Sequence, residues 1–408
     1  MTRSRLQARG GAVRRIVPLA VACLALAGLV VTVNVSAMLT ARAPDAAASL
    51  FFANAGARAR LAQQALVAEQ TPAAAKRAIA LAQDAVARDP IMPIALSTAG
   101  LGFELAGQGE RARSVMLQAD RLSRRVLTVQ LWLIEDAVRR GDVPGALHRY
   151  DVALRTNRRA SAILFPILNN VTAEEQMLRP MARLLSRDPA WRSEFTAQLV
   201  NEGPLRGVTG LALALAAQGS PLSQDYASLL MLRLSKERDY RDLLAVFRAS
   251  FPEEARNDGL LRDPDFSRPG TARPFGWQFV DGSDLGVARS AGGRAGAELY
   301  ADSGASGEAA RQLVLLSPGT YRLTARYADA EVPQGGEPRW QVVCGTDAAP
   351  KLGELPLTAL SGERVVGTTF AVPAAGCPAQ WVFLTVPPAT SEQAVSVKLA
   401  ALSIERAR

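Results

Sequence analysis

The sequence predicts a multidomain chain made of an N-terminal transmembrane helix, an all-α solenoid of helical repeats and an all-β sandwich. Three observations predict it: an uncharged apolar run over 16–41, small residues at fixed spacing between Ala78 and Ala153, and an abrupt compositional change near Asn257-Asp258-Gly259. A length of 408 residues exceeds one ordinary core, so two or three folding units are expected.

The run IVPLAVACLALAGLVVTVNVSAMLTA is long enough to cross roughly 30 Å of hydrocarbon as a helix. Arg3, Arg5, Arg9, Arg14 and Arg15 precede it, and the positive-inside rule keeps that flank in the cytoplasm and the rest of the chain outside. A cleavable signal peptide is the competing reading, with Val35-Ser36-Ala37 at a plausible cleavage position. The apolar length exceeds that of a usual signal core and favours an uncleaved anchor. Residues 1–15 are thus expected to be a cytoplasmic basic flank, 16–41 a signal-anchor in a bacterial inner membrane, and the bulk periplasmic.

That flank supplies five of the nine net positive charges. Lysine is confined to Lys76, Lys236, Lys351 and Lys398, so arginine dominates throughout. The basic stretch between Arg111 and Arg159 is interleaved with Asp120, Glu135, Asp136, Asp142 and Asp151 and has no base-stacking aromatics beside it. It reads as a solvated helical surface, and no nucleic-acid partner is expected.

Residues 42–57, rich in alanine with Pro44 and Gly56, read as a tether. Over 58–258 the pattern is helical. Ala78, Ala112 and Ala146 recur about every 34 residues, as do Ala85, Ala119 and Ala153. Leu96, Gly100 and Phe103 stand before Ala112, Met116 and Ala119, with Gly107 and Gly109 between the two groups; Tyr150 extends the series. This arrangement resembles the tetratricopeptide repeat (TPR) family, whose small residues let paired helices approach and whose larger residues fill the space beside them. Gln130 and Ile134 depart from its aromatic and glycine, and Arg124 and Arg158 from its proline. The resemblance implies a TPR-like solenoid binding envelope or membrane proteins. Beyond Arg159 the register is lost, although three- and four-residue apolar spacing continues.

Residues 259–408 alternate in short segments punctuated by Gly, Pro, Ser and Thr, as an all-β sandwich does. After Ser317-Pro318-Gly319, parity puts Tyr321, Leu323, Ala325 and Tyr327 on a core face. RWQVVC, TTFAV, QWVFLTV and VSVKLAALSI supply further strands, and QWVFLTV, apolar on both faces, is expected to be central. The stretch 259–266, Pro274-Phe275-Gly276-Trp277 and the turn before Tyr321 resemble jelly-roll carbohydrate-binding modules of galactose-binding-like fold. That resemblance implies polysaccharide binding only where exposed aromatics match. Trp277 and Tyr300, in loop-like contexts, are the candidate ligand-binding residues, while Tyr327 and Trp381 read as packing.

Cys23 lies in the apolar run. Cys344 and Cys377, in an oxidising compartment, are expected to form a disulfide. The single histidine, His148, has no nucleophile motif near it, and no P-loop, HExxH, GxSxG or cysteine–histidine metal spacing occurs. No cofactor, metal or catalytic residue is expected. Asp263 with Asp265, or Asp281 with Asp284, are carboxylate pairs better suited to turns or a structural calcium than to catalysis. The sequence therefore predicts a non-catalytic, membrane-anchored periplasmic scaffold, set within a cell-envelope polysaccharide synthesis or export system. A glycan-binding envelope protein is the alternative, and a carboxylate-based glycan-active enzyme the third reading.

Overall fold

The computed structural model describes residues 4–256, 259–268, 272–291, 294–345, 351–388 and 393–407, with side chains from residue 21 onward. The side chains of the basic flank, and Asn257-Asp258, lie outside the described residues. Helices come first and two antiparallel sheets follow. The chain divides into two compact units, Met1–Leu164 and Phe165–Arg408.

In the first unit, α1 (Ser4–Leu39) contains the stretch Val21–Leu39, long and apolar enough to cross a membrane or to act as a signal sequence. Two of its polar side chains turn inward on their own backbone: Thr32 Oγ1 donates to the Gly28 carbonyl at 2.9 Å and Asn34 Nδ2 to that of Val30 at 2.7 Å. Such bonds remove the cost of carrying unsatisfied polar groups in an apolar medium. The segment read as a tether carries α2 (Pro44–Leu50) and the start of α3 (Ala55–Ala68). Asn54 joins these parts. Its Nδ2 donates to Ser36 Oγ at 2.7 Å and Thr40 Oγ1 at 2.9 Å on α1, while its Oδ1 caps α3 by accepting from the Ala57 amide at 2.9 Å.

Then follow α4 (Pro72–Arg88), α5 (Pro93–Leu105), α6 (Gly109–Leu122), α7 (Leu127–Arg139), α8 (Val143–Thr156) and the first turn of α9 (Ala160–Val171). Starts are set by Thr71 and Asp142, whose side chains accept from the Ala74 and Gly145 amides, and by Pro72, Pro93 and Pro144 in the first turns. The alanine columns are buried, at 0% exposure for Ala78, Ala85, Ala112, Ala119 and Ala153 and 5% for Ala146. A Cβ on Gly100 would sit 2.8 Å from the Met116 methyl, so glycine there is what lets Met116 fill the interface. Leu96, Trp132 and Leu133 complete that core, Phe103 packs half-buried beside Ala62 and Ala99, and Tyr150 is buried. Gln130, standing where the repeat pattern has an aromatic, donates to buried Asp120 at 2.7 Å, and Arg149 pairs with the same carboxylate at 2.6 Å. His148 is exposed on α8.

In the second unit the rest of α9 leads to α10 (Glu175–Leu185), α11 (Arg192–Glu202), α12 (Leu205–Ala217), α13 (Gln224–Lys236), α14 (Tyr240–Ser250) and α15 (Pro252–Ala255). Phe165, Trp191 and Phe195 cluster with ring centroids 5.4–6.3 Å apart.

Ten strands form the sheets: β1 (Gln278–Phe279), β2 (Leu285–Arg289), β3 (Ala297–Ala301), β4 (Gly307–Val314), β5 (Gly319–Glu331), β6 (Arg339–Cys344), β7 (Lys351–Pro356), β8 (Leu360–Val372), β9 (Gln380–Val386) and β10 (Val395–Arg406). One sheet has the order β1-β4-β9-β6-β7, the other β2-β3-β10-β5-β8. Tyr321, Leu323, Ala325 and Tyr327 of β5 all face inward, as parity requires, and β9 is the middle strand of its sheet. A common core joins the inner faces, with Trp340 of β6, Leu384 of β9 and Leu402 of β10 almost fully buried. The Cys344–Cys377 disulfide ties the end of β6 to the segment entering β9.

Candidate functional site

The middle strand β9 alternates strictly between buried and half-buried positions. Val382, Leu384 and Val386 enter the core, so Trp381, Phe383 and Thr385 must emerge on the opposite face. Strand register sets their neighbours. Arg311 of β4 and Gln341 of β6 flank Phe383, Val343 flanks Trp381, and Glu354 of β7 lies opposite Gln341. The Trp381 and Phe383 rings lie 6.0 Å apart with their planes 25° from parallel, an apolar aromatic platform, and the Arg311 guanidinium is 5.3 Å from the Trp381 centroid.

Polar groups around the platform are held in place by one another. Glu354 accepts from Lys351 Nζ at 2.9 Å, Arg339 at 2.9 Å and Gln341 Nε2 at 3.1 Å. The Lys351 ammonium, with Arg339 and Gln341 adding to it against a burial penalty, keeps this carboxyl below its usual range. Glu308 behaves oppositely: burial pushes its carboxyl up, and Arg311, 3.4 Å away, offsets only part of that.

The helical hairpin of α13 and α14 supplies the facing wall. Tyr240 donates to the Gly345 carbonyl at 3.1 Å, Phe247 packs on Phe275 at 4.6 Å, and the Arg262 guanidinium lies 4.6 Å from the Phe247 centroid. Leu232, Ser235, Lys236 and Arg238 thus line a cleft of about 670 Å³ together with the sheet residues. That volume lies within the range of small-molecule sites.

Arg238 stands in the left-handed region, at φ 60°. The turn it occupies has a defined hydrogen-bond pattern, in which the Asp239 amide reaches the Leu234 carbonyl at 3.0 Å and the Arg238 amide that of Ser235 at 3.2 Å. Among the described residues, three other helix ends make the same pair of bonds, and there the left-handed residue is Gly107, Gly141 or Gly219. A Cβ on any of these three would meet nothing within 4 Å, so backbone conformation alone selects glycine. An L residue in that conformation costs about 1–2 kcal/mol, whereas a cation near a helix C-terminus returns about 0.3–1 kcal/mol. Backbone conformation thus favours glycine at position 238, and the attraction of the cation to the helix end offsets part of that preference.

The two aromatics expected from sequence to meet ligand lie elsewhere. Trp277 is 4% exposed, its Nε1 donates to the Asp263 carbonyl at 3.0 Å, and Phe266, Phe279 and Trp340 surround its ring. Tyr300, on β3 of the other sheet, is half-buried and donates to the Gly282 carbonyl at 2.7 Å. Asp263 pairs with Arg289 at 2.7 Å, and Asp265 accepts from Ser267. The residues that do gather are Trp381, which strand pattern assigns to packing, with Phe383, Gln341, Arg311 and Arg238. One sequence signal points to them: an arginine at a helix end where comparable turns carry glycine.

A second concavity lies in the first unit, where α3, α5 and α7 contribute Gln63, Val67, Ser97, Leu101 and Thr128 to a groove of about 620 Å³.

No protein-family profile and no curated protein sequence matches the chain. Solved structures similar to it include a family 4 carbohydrate-binding module (15% identity, TM-score 0.28, 37% of this chain and 99% of that one). A family 61 module in complex with β-1,4-galactotriose gives 14% identity and TM-score 0.27 over 37% of this chain and 100% of that one. The N-terminal cellulose-binding domain of Cellulomonas fimi β-1,4-glucanase C gives 16% identity and TM-score 0.22 over 33% and 97%.

Proposed function

We propose that this chain is a carbohydrate-binding protein whose ligand lies in the cleft on the outer face of β9. The Trp381–Phe383 platform, edged by fixed hydrogen-bonding side chains, carries this reading. A pyranose ring has an apolar face that stacks on aromatics and a rim of hydroxyls that needs donors and acceptors, and Ser235, Gln341 and Thr385, which line the cleft, offer both. No nucleophile or acid–base pair is needed for this role, and we infer binding without catalysis. The sandwich is read as a jelly roll.

Trp381→Ala is expected to weaken glycan binding by roughly thirty-fold, about 2 kcal/mol. Glycan-array capture followed by calorimetry on the detergent-solubilised full chain would measure it. Binding that survives the substitution unchanged removes the platform from the site.

The first unit favours a second role on its own observation: alanine columns buried at TPR spacing beside an open groove. We infer a TPR-like scaffold whose groove takes a protein segment, with α1 anchoring the chain in a bacterial inner membrane and the bulk in the periplasm. Val67, 84% exposed in that groove, is the point to test. Val67→Glu is expected to abolish co-purification of envelope proteins seen with the unaltered chain and to leave helicity intact; recovery of the same partners would remove the groove from the interface.

A further inference from the structure

We infer that the cleft selects an anionic glycan, a pyranose chain bearing carboxylate or sulfate groups, and that Arg238 is the residue that reads the charge. The inference rests on the carbohydrate reading of the cleft and adds the ligand's charge to it.

The charges around the platform are unequal. Arg311, Arg339, Lys351, Lys236 and Arg238 supply cations, while Glu308 and Glu354 supply the opposing carboxylates. Those two carboxylates are already taken up on the sheet side, Glu308 by Arg311 and Glu354 by Lys351 and Arg339. The cations on the helical wall have no such match. Lys236 and Arg238 are both exposed to the cleft, and among the described residues no ion pair involves either. Glu237, between them in sequence, is exposed and makes no ion pair with either among the described residues, and Asp239 accepts from the Asp242 amide, where it caps α14.

Arg238 carries the inference further than charge counting does. A surface cation costs a protein nothing, so most need no explanation. This one stands where the same chain uses glycine in three turns of identical hydrogen bonding, and it keeps a strained backbone. The backbone of this turn favours glycine, and the guanidinium that stands there instead lines the cleft. Its planar fork matches a carboxylate or sulfate with two parallel hydrogen bonds, which an ammonium does not offer. Facing it across the cleft is an aromatic platform rather than an acidic protein surface, which places the anion on a stacked sugar ring.

The test uses the full chain in detergent and a paired panel. Oligogalacturonate, oligomannuronate and hyaluronan oligosaccharides are each set against their carboxyl-reduced counterparts, and sulfated galactan oligosaccharides against desulfated ones. At least one anionic arm is expected to bind ten-fold or more tightly than its neutral partner, with affinity falling as salt rises. Which arm it is identifies the group. Arg238→Gly is expected to erase that ten-fold preference and to raise the melting temperature of the second unit by about 2–4 °C, because glycine relieves the turn.

Equal binding of charged and neutral partners, lost in Trp381→Ala, overturns the anionic assignment and leaves the carbohydrate reading standing. Absence of binding across the whole panel overturns both. A preference that persists in Arg238→Gly, or a lowered melting temperature in that variant, shows that Arg238 serves the fold instead.

Discussion

Trp340→Ala is expected to destabilise the second unit by about 3–5 kcal/mol, the range for removing a large aromatic from a closed core. Trp340 is 1% exposed and packs on Phe266 at 6.3 Å and on Trp277 at 5.4 Å. All three belong to the single core that joins the sheets, so the vacated volume has no surface to open onto. The effect should reach the outer face of β9 as well. Trp340 sits opposite Leu384 in register, and the next residue of its strand is Gln341, beside Phe383. Urea unfolding followed by tryptophan fluorescence gives the stability directly. A loss below about 1 kcal/mol would mean that the sheets do not close over this ring.

Removal of the disulfide should have the next largest effect. For a bridge spanning 33 positions, the chain-entropy relation gives about 3–4 kcal/mol, and Cys344→Ser with Cys377→Ser is expected to lose most of that. Part of the junction survives, because Gln380 accepts from the Leu316 amide at 2.8 Å and donates to the Cys377 carbonyl at 2.9 Å. The substitution therefore acts mainly through the unfolded chain, which gains freedom when the loop is opened. The same pair reports the compartment. Alkylation of protein purified without reductant should label Cys23 and leave Cys344 and Cys377 unmodified. Labelling of the latter two would contradict both the bridge and an oxidising environment.

The helical columns and the inward parity of β5 could be read from sequence because each is a strict periodicity, enforced by burial on one side. The exposed row on the outer face of β9 could not. QWVFLTV is apolar on both faces, and that pattern does not distinguish a strand covered on each side from one whose outer aromatics remain half-open. Trp277 misleads for the converse reason. Its position between glycine and proline turns suggests exposure, yet the chain there folds inward and the indole finds the Asp263 carbonyl inside the core. The register bringing Arg311, Phe383, Gln341 and Glu354 into one row depends on pairings between strands far apart in sequence, and no local spacing encodes them. Arg238 is intermediate. Its unusual place follows from a comparison with Gly107, Gly141 and Gly219 that needs only the positions of the helix ends.

The Asn54 side chain has a mechanical consequence. By holding Ser36 and Thr40 with one end and starting α3 with the other, it leaves no swivel at the junction. Were α1 to span a bilayer, any tilt or roll of that segment would be handed to the first hairpin as through a rigid bracket. The lipid would set the bearing of the whole first unit, and a leash-like sweep near the membrane surface would be forbidden.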